Sequence, residues 1–226
     1  MLFPPMCGGC GKAGTRWCGD CQRNVPHLSK PLCEVCGIPL GGPGLCADCQ
    51  RVRPRFNALR SWSAFDAPVR NALHRLKYRR DMGLGDALAV QLSPFVVDLN
   101  WPVDLVVPVP LGQKRLNERG YNQVALIARP LSMALRIDYA PDVLTRIRET
   151  RSQVGLTKSE RRHNVHEAFR ANETRINGRT VLLMDDVATT GSTLSSCAEA
   201  IYAAGARDVF ALTVSRALAH HGLTSA

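Results

Sequence analysis

The sequence predicts an α/β protein, a mostly parallel sheet flanked by helices, with a small cysteine-rich domain at its N-terminus. Two observations predict it. Eight of the nine cysteines fall before residue 50, and beyond them apolar runs of strand length alternate with helical patterns. The 226 residues suffice for a domain of ordinary size plus a small satellite, and 45% apolar against 21% charged residues is a globular balance. Lysine and arginine number 29 against 19 acidic residues, a net charge of +10 that favours phosphates or other anions as partners. No run of about 18 apolar residues is present to span a bilayer, and the first six residues lack a basic region followed by an apolar core. A cytoplasmic protein without membrane insertion is expected.

The eight early cysteines form four Cys-x-x-Cys pairs: Cys7/Cys10, Cys18/Cys21, Cys33/Cys36 and Cys46/Cys49. Two thiolates two residues apart sit on one tight turn, and two such turns supply the four sulfurs of a tetrahedral zinc site. A redox-active Cys-x-x-Cys is a single pair in a thioredoxin-like βαβ setting, which four pairs in this segment do not match. The segment is also too poor in apolar residues to fold unaided, and a structural zinc contributes roughly 10–16 kcal/mol of apparent binding energy. Two structural zinc ions are expected, one on Cys7, Cys10, Cys18 and Cys21 and one on Cys33, Cys36, Cys46 and Cys49. Sequential pairing is the simplest arrangement, since 7 and 9 residues separate the pairs within each site. Pairing of the first pair with the third is the alternative left open. The ninth cysteine, Cys197, is expected in the core.

A polar bridge over 50–54 leads into the body, dividing the chain into 1–56 and 57–226. Residues 58–65 alternate as a strand does. Asp66 and Pro68 then start a helix over about 68–79, with Asp66 as the capping candidate. That helix places Val69, Ala72, Leu73 and Leu76 on one face and Arg70, Arg75, Lys77 and Arg79 on the other. A second helix follows over about 83–92. Strand-like runs at 104–109, 143–147, 180–184 and 209–215 supply a largely parallel sheet. Pro130 is expected to kink or divide the helical pattern at 122–135.

Residues 181–194 carry the chemistry. An apolar strand ends in Asp185 and Asp186, and the small and hydroxylated residues Ala188, Thr189, Thr190, Gly191, Ser192 and Thr193 lead into a helix. Small side chains let backbone N–H groups approach phosphate oxygens, hydroxyls add donors, and a helix N-terminus adds its positive end. The carboxylates would repel a bare phosphate, so they face sugar hydroxyls, magnesium or both. A triphosphatase strand would need Gly-x-x-x-x-Gly-Lys-[Ser/Thr], and a dinucleotide site Gly-x-Gly-x-x-Gly after a strand; the sequence has neither. A plain strand-turn-helix gains nothing from paired like charges.

The segment 185–193 closely resembles the phosphoribosyl pyrophosphate (PRPP) signature of type I phosphoribosyltransferases. Residues 103–124, Val-Asp-Leu-Val-Val-Pro-Val-Pro-Leu-Gly-Gln-Lys-Arg-Leu-Asn-Glu-Arg-Gly-Tyr-Asn-Gln-Val, resemble the corresponding stretch of the ComF family of competence-associated proteins. With Arg151, Gln153, Leu156, Arg161, Asn164, Phe169 and the cysteine head, the resemblance spans essentially the whole chain. It implies a type I phosphoribosyltransferase fold with a double zinc ribbon. It also implies that Ala188 to Thr193 hold the 5-phosphate, and that Asp185 and Asp186 hold the ribose hydroxyls and orient magnesium. Lys114 and Arg115, in the loop after Val107-Pro108-Val109-Pro110, would meet pyrophosphate. Residues 148–164 would close over substrate, and residues of about 57–100 would form a hood that sets the acceptor.

The activity implied is a glycosyltransferase reaction, moving phosphoribosyl from PRPP to an unidentified nitrogen acceptor and releasing pyrophosphate, in DNA uptake or nucleotide salvage. The second reading is a non-catalytic competence factor that senses PRPP and binds single-stranded DNA. Its groove would lie along the helix at 68–79 with Arg53, Arg55 and Arg60, beside the competence machinery as partner. A homodimer is the common assembly among phosphoribosyltransferases.

Overall fold

The computed structural model describes residues 4–147 and 168–218. Two short helices, α1 (Gly19–Arg23) and α2 (Ala47–Arg51), carry Cys21 and Cys49. The body continues through β1 (Ala58–Ala64), α3 (Val69–Tyr78), α4 (Leu84–Asp98), β2 (Leu105–Pro108), α5 (Gln113–Arg119) and α6 (Gln123–Leu135). After these come β3 (Asp138–Tyr139), β4 (Leu144–Arg146), β5 (Phe169–Ala171), α7 (Glu173–Ile176), β6 (Thr180–Ala188), α8 (Ser192–Ala203) and β7 (Asp208–Arg216).

Five strands form one sheet in the order β1-β7-β6-β2-β3, and every pairing is parallel. A parallel strand covered on both faces reads as a continuous apolar run, and Val181 to Met184 are all fully buried in β6. Side chains alternate across a strand, so β6 feeds two cores. Leu182 and Met184 pack with α3, α4 and α6 through Leu73, Leu88 and Ile127. Val181 and Leu183 pack with α8, β4 and β5 through Cys197, Leu144 and Phe169. The C-terminal ends of the parallel strands form one rim, the edge where open α/β sheets bind ligands.

Several expectations change. The run at 143–147 does not enter the main sheet: β4 pairs antiparallel with β5 in a separate two-stranded sheet. Only Leu144 of its three residues is buried, the pattern of a half-covered strand. Asp66 does not cap α3 with its side chain; its Oδ1 accepts from the Ala67 amide at 2.7 Å, and Pro68 takes the cap position. The helix expected to end near 92 runs on to Asp98 through Pro94. Residues of about 57–100 contribute the edge strand β1 and two helices of one layer rather than a hood. The expected closing loop at 148–164, with Arg151, Gln153, Leu156, Arg161 and Asn164, lies outside the described residues.

The helix α6 is continuous through Pro130. A proline removes the donor for the carbonyl four residues earlier, here Leu126. That carbonyl faces Gly85 of α4 so closely that a Cβ on Gly85 would lie 2.4 Å from the Leu126 oxygen. The glycine lets the two helices meet where the orphaned carbonyl sits.

The cysteine head docks on the β1 edge and on α3. The Leu59 amide donates to the Val35 carbonyl at 2.7 Å, and the Ala64 amide to the Pro26 carbonyl at 2.7 Å. Gly37, at φ +69°, packs directly on the Leu59 carbonyl.

Candidate functional site

The eight cysteines gather into two clusters, Cys7/Cys10/Cys18/Cys21 and Cys33/Cys36/Cys46/Cys49, with the ligand atoms in each within 4.8 Å of one another. This is sequential pairing. Four sulfurs with no further donor make a closed, structural zinc site, and the donor set fits that metal. Backbone amides support the thiolates: the Cys18 amide points at Cys7 Sγ at 3.4 Å and the Cys46 amide at Cys33 Sγ at 3.4 Å. Burial pushes the Cys7 and Cys33 thiols up, but backbone N–H donors outweigh it and bring both down to about 6. Two arginines add positive charge beside the second cluster. Arg216, buried at the end of β7, donates to the Cys36 carbonyl at 2.8 Å, and Arg60 donates to the Cys33 and Glu34 carbonyls. Cys197 is fully buried in the core, as expected.

Asp185 and Asp186 lie near the C-terminal end of β6, at the rim of the sheet. Each uses one oxygen within the protein. The Asp186 amide donates to Asp185 Oδ1 at 2.8 Å, while Asp186 Oδ2 accepts from Gln123 Nε2 at 2.6 Å and from Lys77 Nζ at 2.9 Å. The second oxygen of each makes no bond among the described residues. Their titration splits. Burial, followed by the neighbouring Asp186 charge, pushes Asp185 up to about 7. Asp186 is also penalised by burial, but Lys77, Gln123 and Arg119 together hold it below the ordinary carboxylate range.

Past β6 the chain turns through Thr189 and Thr190 to Gly191, whose φ of +77° favours glycine. The helix α8 begins at Ser192. Thr190 Oγ1 accepts from the Ser192 amide at 3.3 Å and lies 2.9 Å from the Ser192 hydroxyl, folding the turn over the helix N-terminus. First-turn amides have no partner within their helix, so their positive ends gather there. The structure therefore brings Asp185, Asp186 and residues 188–193 together on one rim.

Lys114 and Arg115 are both exposed on α5, which begins one residue after Gly112; they sit on a helix rather than in the expected loop. The positive charge of Arg115 acts on Asp185. The expected basic groove does not form as drawn. Lys77 turns to Asp186, Arg75 donates to the Cys7 carbonyl at 3.2 Å, and Arg60 is taken up by the head, leaving Arg53, Arg55, Arg70 and Arg79 exposed. Three site groups were missed in the sequence: Lys77, Gln123 and Arg119. Lys77 stands next to the buried Leu76, off the polar stripe's centre, and that was its only signal. No described helix is long and apolar enough to cross a membrane.

The family model for the double zinc ribbon domain matches residues 1–50. The DNA utilization protein YhgH of Salmonella typhi is 33% identical over 219 residues, covering 92% of this chain and 96% of that protein. Competence protein F of Haemophilus influenzae is 30% identical over 209 residues, covering 88% and 90%, and competence protein ComFC of Bacillus subtilis 27% over 201 residues, covering 86% and 81%. Among solved structures, the glutamine PRPP amidotransferase of B. subtilis aligns with a TM-score of 0.39 at 21% identity over 64% of this chain and 28% of its own. The adenine phosphoribosyltransferase of Saccharomyces cerevisiae aligns with a TM-score of 0.39 at 18% identity over 65% and 76%. With near full-length identity of 30% or more to such relatives and a double zinc ribbon at its head, the chain belongs to the ComF family of competence-associated proteins.

Proposed function

We propose that the protein binds PRPP at the rim of β6 and α8 and transfers its phosphoribosyl group to a nitrogen acceptor. One observation carries this reading: two adjacent carboxylates, each with one oxygen tied inward, stand directly before a small-residue turn at the N-terminus of a 12-residue helix. The inward bonds fix the carboxylates, and the remaining oxygens are the acceptors for two vicinal ribose hydroxyls. The turn at Ala188, Thr189, Thr190, Gly191, Ser192 and Thr193 takes the 5-phosphate on backbone amides and hydroxyls. Lys114 and Arg115 on the exposed face of α5 meet pyrophosphate as it leaves.

In the reaction the acceptor nitrogen forms a bond to C1 of the ribose and loses a proton to solvent. The C1–O bond breaks, and its electron pair departs with pyrophosphate. The chain's part is to hold the sugar and stabilise the leaving anion, with charge-assisted bonds of roughly 1.5–3 kcal/mol each. Magnesium, entering with PRPP, would neutralise pyrophosphate; the open oxygens of Asp185 and Asp186 are hard donors that suit it. The test is pyrophosphate release from magnesium PRPP across a panel of bases and amines. The expected result is release with at least one acceptor, abolished by Asp186→Asn; no release with any acceptor contradicts transfer.

A second reading has its own observation. Arg53 and Arg55 line a cavity of about 560 Å³ with Phe56, Asn57, Glu199 and Tyr202, beside α8. With the net charge of +10 and relatives named for DNA utilization and competence, this surface suits single-stranded DNA. Fluorescence anisotropy of a labelled oligonucleotide would show salt-dependent binding weakened by Arg53→Ala with Arg55→Ala. Binding undetectable even at low salt contradicts it.

A further inference from the structure

The helix α3 lies between the first cysteine cluster and the carboxylates of β6. Asn71 and Arg75 are four residues apart and share a face. Asn71 Nδ2 donates to the Gly9 carbonyl at 2.9 Å and Arg75 Nη1 to the Cys7 carbonyl at 3.2 Å, so both grip the first knuckle. The fit there is close: a Cβ on Gly8 would lie 2.4 Å from Leu84, and one on Gly9 2.6 Å from Pro68 at the start of the helix. Beyond the helix, Asp81 takes Arg75 Nη2 at 2.9 Å and also Arg16, a residue of the first knuckle's own loop. Two ion pairs on one carboxylate clamp the end of α3 to the head.

Lys77 lies two residues after Arg75, about 200° round the helix, and so points away from the knuckle. Its side chain is 20% exposed, and its ammonium meets Asp186, whose side chain is 8% exposed. The other groups around Asp186 are Gln123 of α6, Arg119 of α5 and Asp185 of its own strand. Gln123 and Lys77 share the same carboxylate oxygen, so together they fix which oxygen faces outward.

We infer that Lys77 is a positioning residue of the sugar-phosphate site, held in place by the first cysteine cluster, so that zinc bound far from the ligand sets how Asp186 is presented to it. This rests on the reading of the β6–α8 rim as a PRPP site. It gives the first zinc a role beyond stabilising the head. The second cluster docks on β1 and β7 and does not contact α3 through any described hydrogen bond.

The test is calorimetric titration of the zinc-loaded full-length protein with magnesium PRPP. Zinc content and melting temperature are recorded for each variant. Loss of a charged partner of Asp186 should weaken binding about tenfold in Lys77→Met, with Lys77→Arg restoring it to within about threefold. The paired change Asn71→Ala with Arg75→Met leaves every zinc ligand intact and should also weaken binding about fivefold, through the tether alone. Arg60→Met, at the second cluster, should leave affinity unchanged. Should Lys77→Met prove unstable, Lys77→Gln keeps a donor while removing the charge, and the same loss is expected. Wild-type binding with unchanged affinity in Lys77→Met, or in Lys77→Gln where that variant stands in, overturns this inference but leaves the PRPP site standing. Absence of binding by the wild-type protein overturns the PRPP reading and this inference together.

Discussion

Asp186 donates its backbone amide to the side chain of Asp185 at 2.8 Å, yet the two carboxyl groups respond to the site in opposite directions. Burial and the Asp186 charge bring Asp185 up to about 7, while Lys77 keeps Asp186 ionised. A folded-state value above the unfolded one means that the native protein holds the proton more tightly. Stability from this group is present below about pH 4 and is lost as pH rises through about 7. Asp185→Asn should therefore stabilise the fold relative to wild type at pH 8, on the order of 2 kcal/mol after allowing for partial exposure, and change little at pH 4. Thermal melts at both pH values in magnesium-free buffer check it. Equal melting shifts at the two would contradict it.

The second cysteine cluster has Arg216 beside it. Its guanidinium reaches the Cys36 carbonyl across 180 residues of sequence, and its charge draws down a thiol that burial pushes up to about 11. Partners outside the ligand shell tune metal affinity by roughly 10–100-fold. Arg216→Met should weaken zinc at this cluster by about tenfold and leave the first cluster unchanged. Competition with a chromophoric chelator, read as two separate release steps, measures both.

Full zinc removal should have a larger effect than any of these substitutions. Among the described residues the head holds few buried apolar side chains besides its cysteines: Val25, Val35 and, at the boundary with the body, Phe56. A metal-free head loses most of its stabilisation, since binding energy of this kind is folding energy. Elemental analysis should give about two zinc ions per chain, and chelation should bring a loss of amide dispersion confined to residues of the head and the faces of β1 and α3 that it covers.

Gly85→Ala tests the helix contact at Pro130. The new Cβ would lie 2.4 Å from the Leu126 oxygen and 2.8 Å from its carbon, backbone atoms that cannot turn aside. A destabilisation of about 2 kcal/mol or more is expected by chemical denaturation, although alanine is the better helix former. A neutral or stabilised variant would show that α4 and α6 can part without cost.

The parts of the molecule set by local pattern were readable from the sequence. Four cysteine pairs at metal-binding spacing marked the head, the run from Val181 to Met184 marked a strand covered on both faces, and the small residues around Gly191 marked the turn into a helix at Ser192. What depended on distant partners was not readable. The strand β4 alternates like any half-covered strand, and nothing in 144–146 says that Phe169 and its neighbours will pair with it rather than the main sheet. Lys77 belongs by spacing to a solvated basic stripe, and only the placement of α3 against β6, 109 residues later at Asp186, turns it inward. Arg60 and Arg75 were misplaced for the same reason: the carbonyls they bind belong to the cysteine turns. Pro130 is the reverse case: it reads as a kink or a division, yet α6 runs through it, with Gly85 of another helix packed against the Leu126 carbonyl that loses its donor.

The most direct measurement is calorimetric titration of the zinc-loaded protein with magnesium PRPP, alongside Asp186→Asn. Saturable binding by the wild-type protein, lost or weakened at least about tenfold in the variant, is the predicted result. No binding by either protein, or equal binding by both, would contradict a sugar-phosphate site at the end of β6.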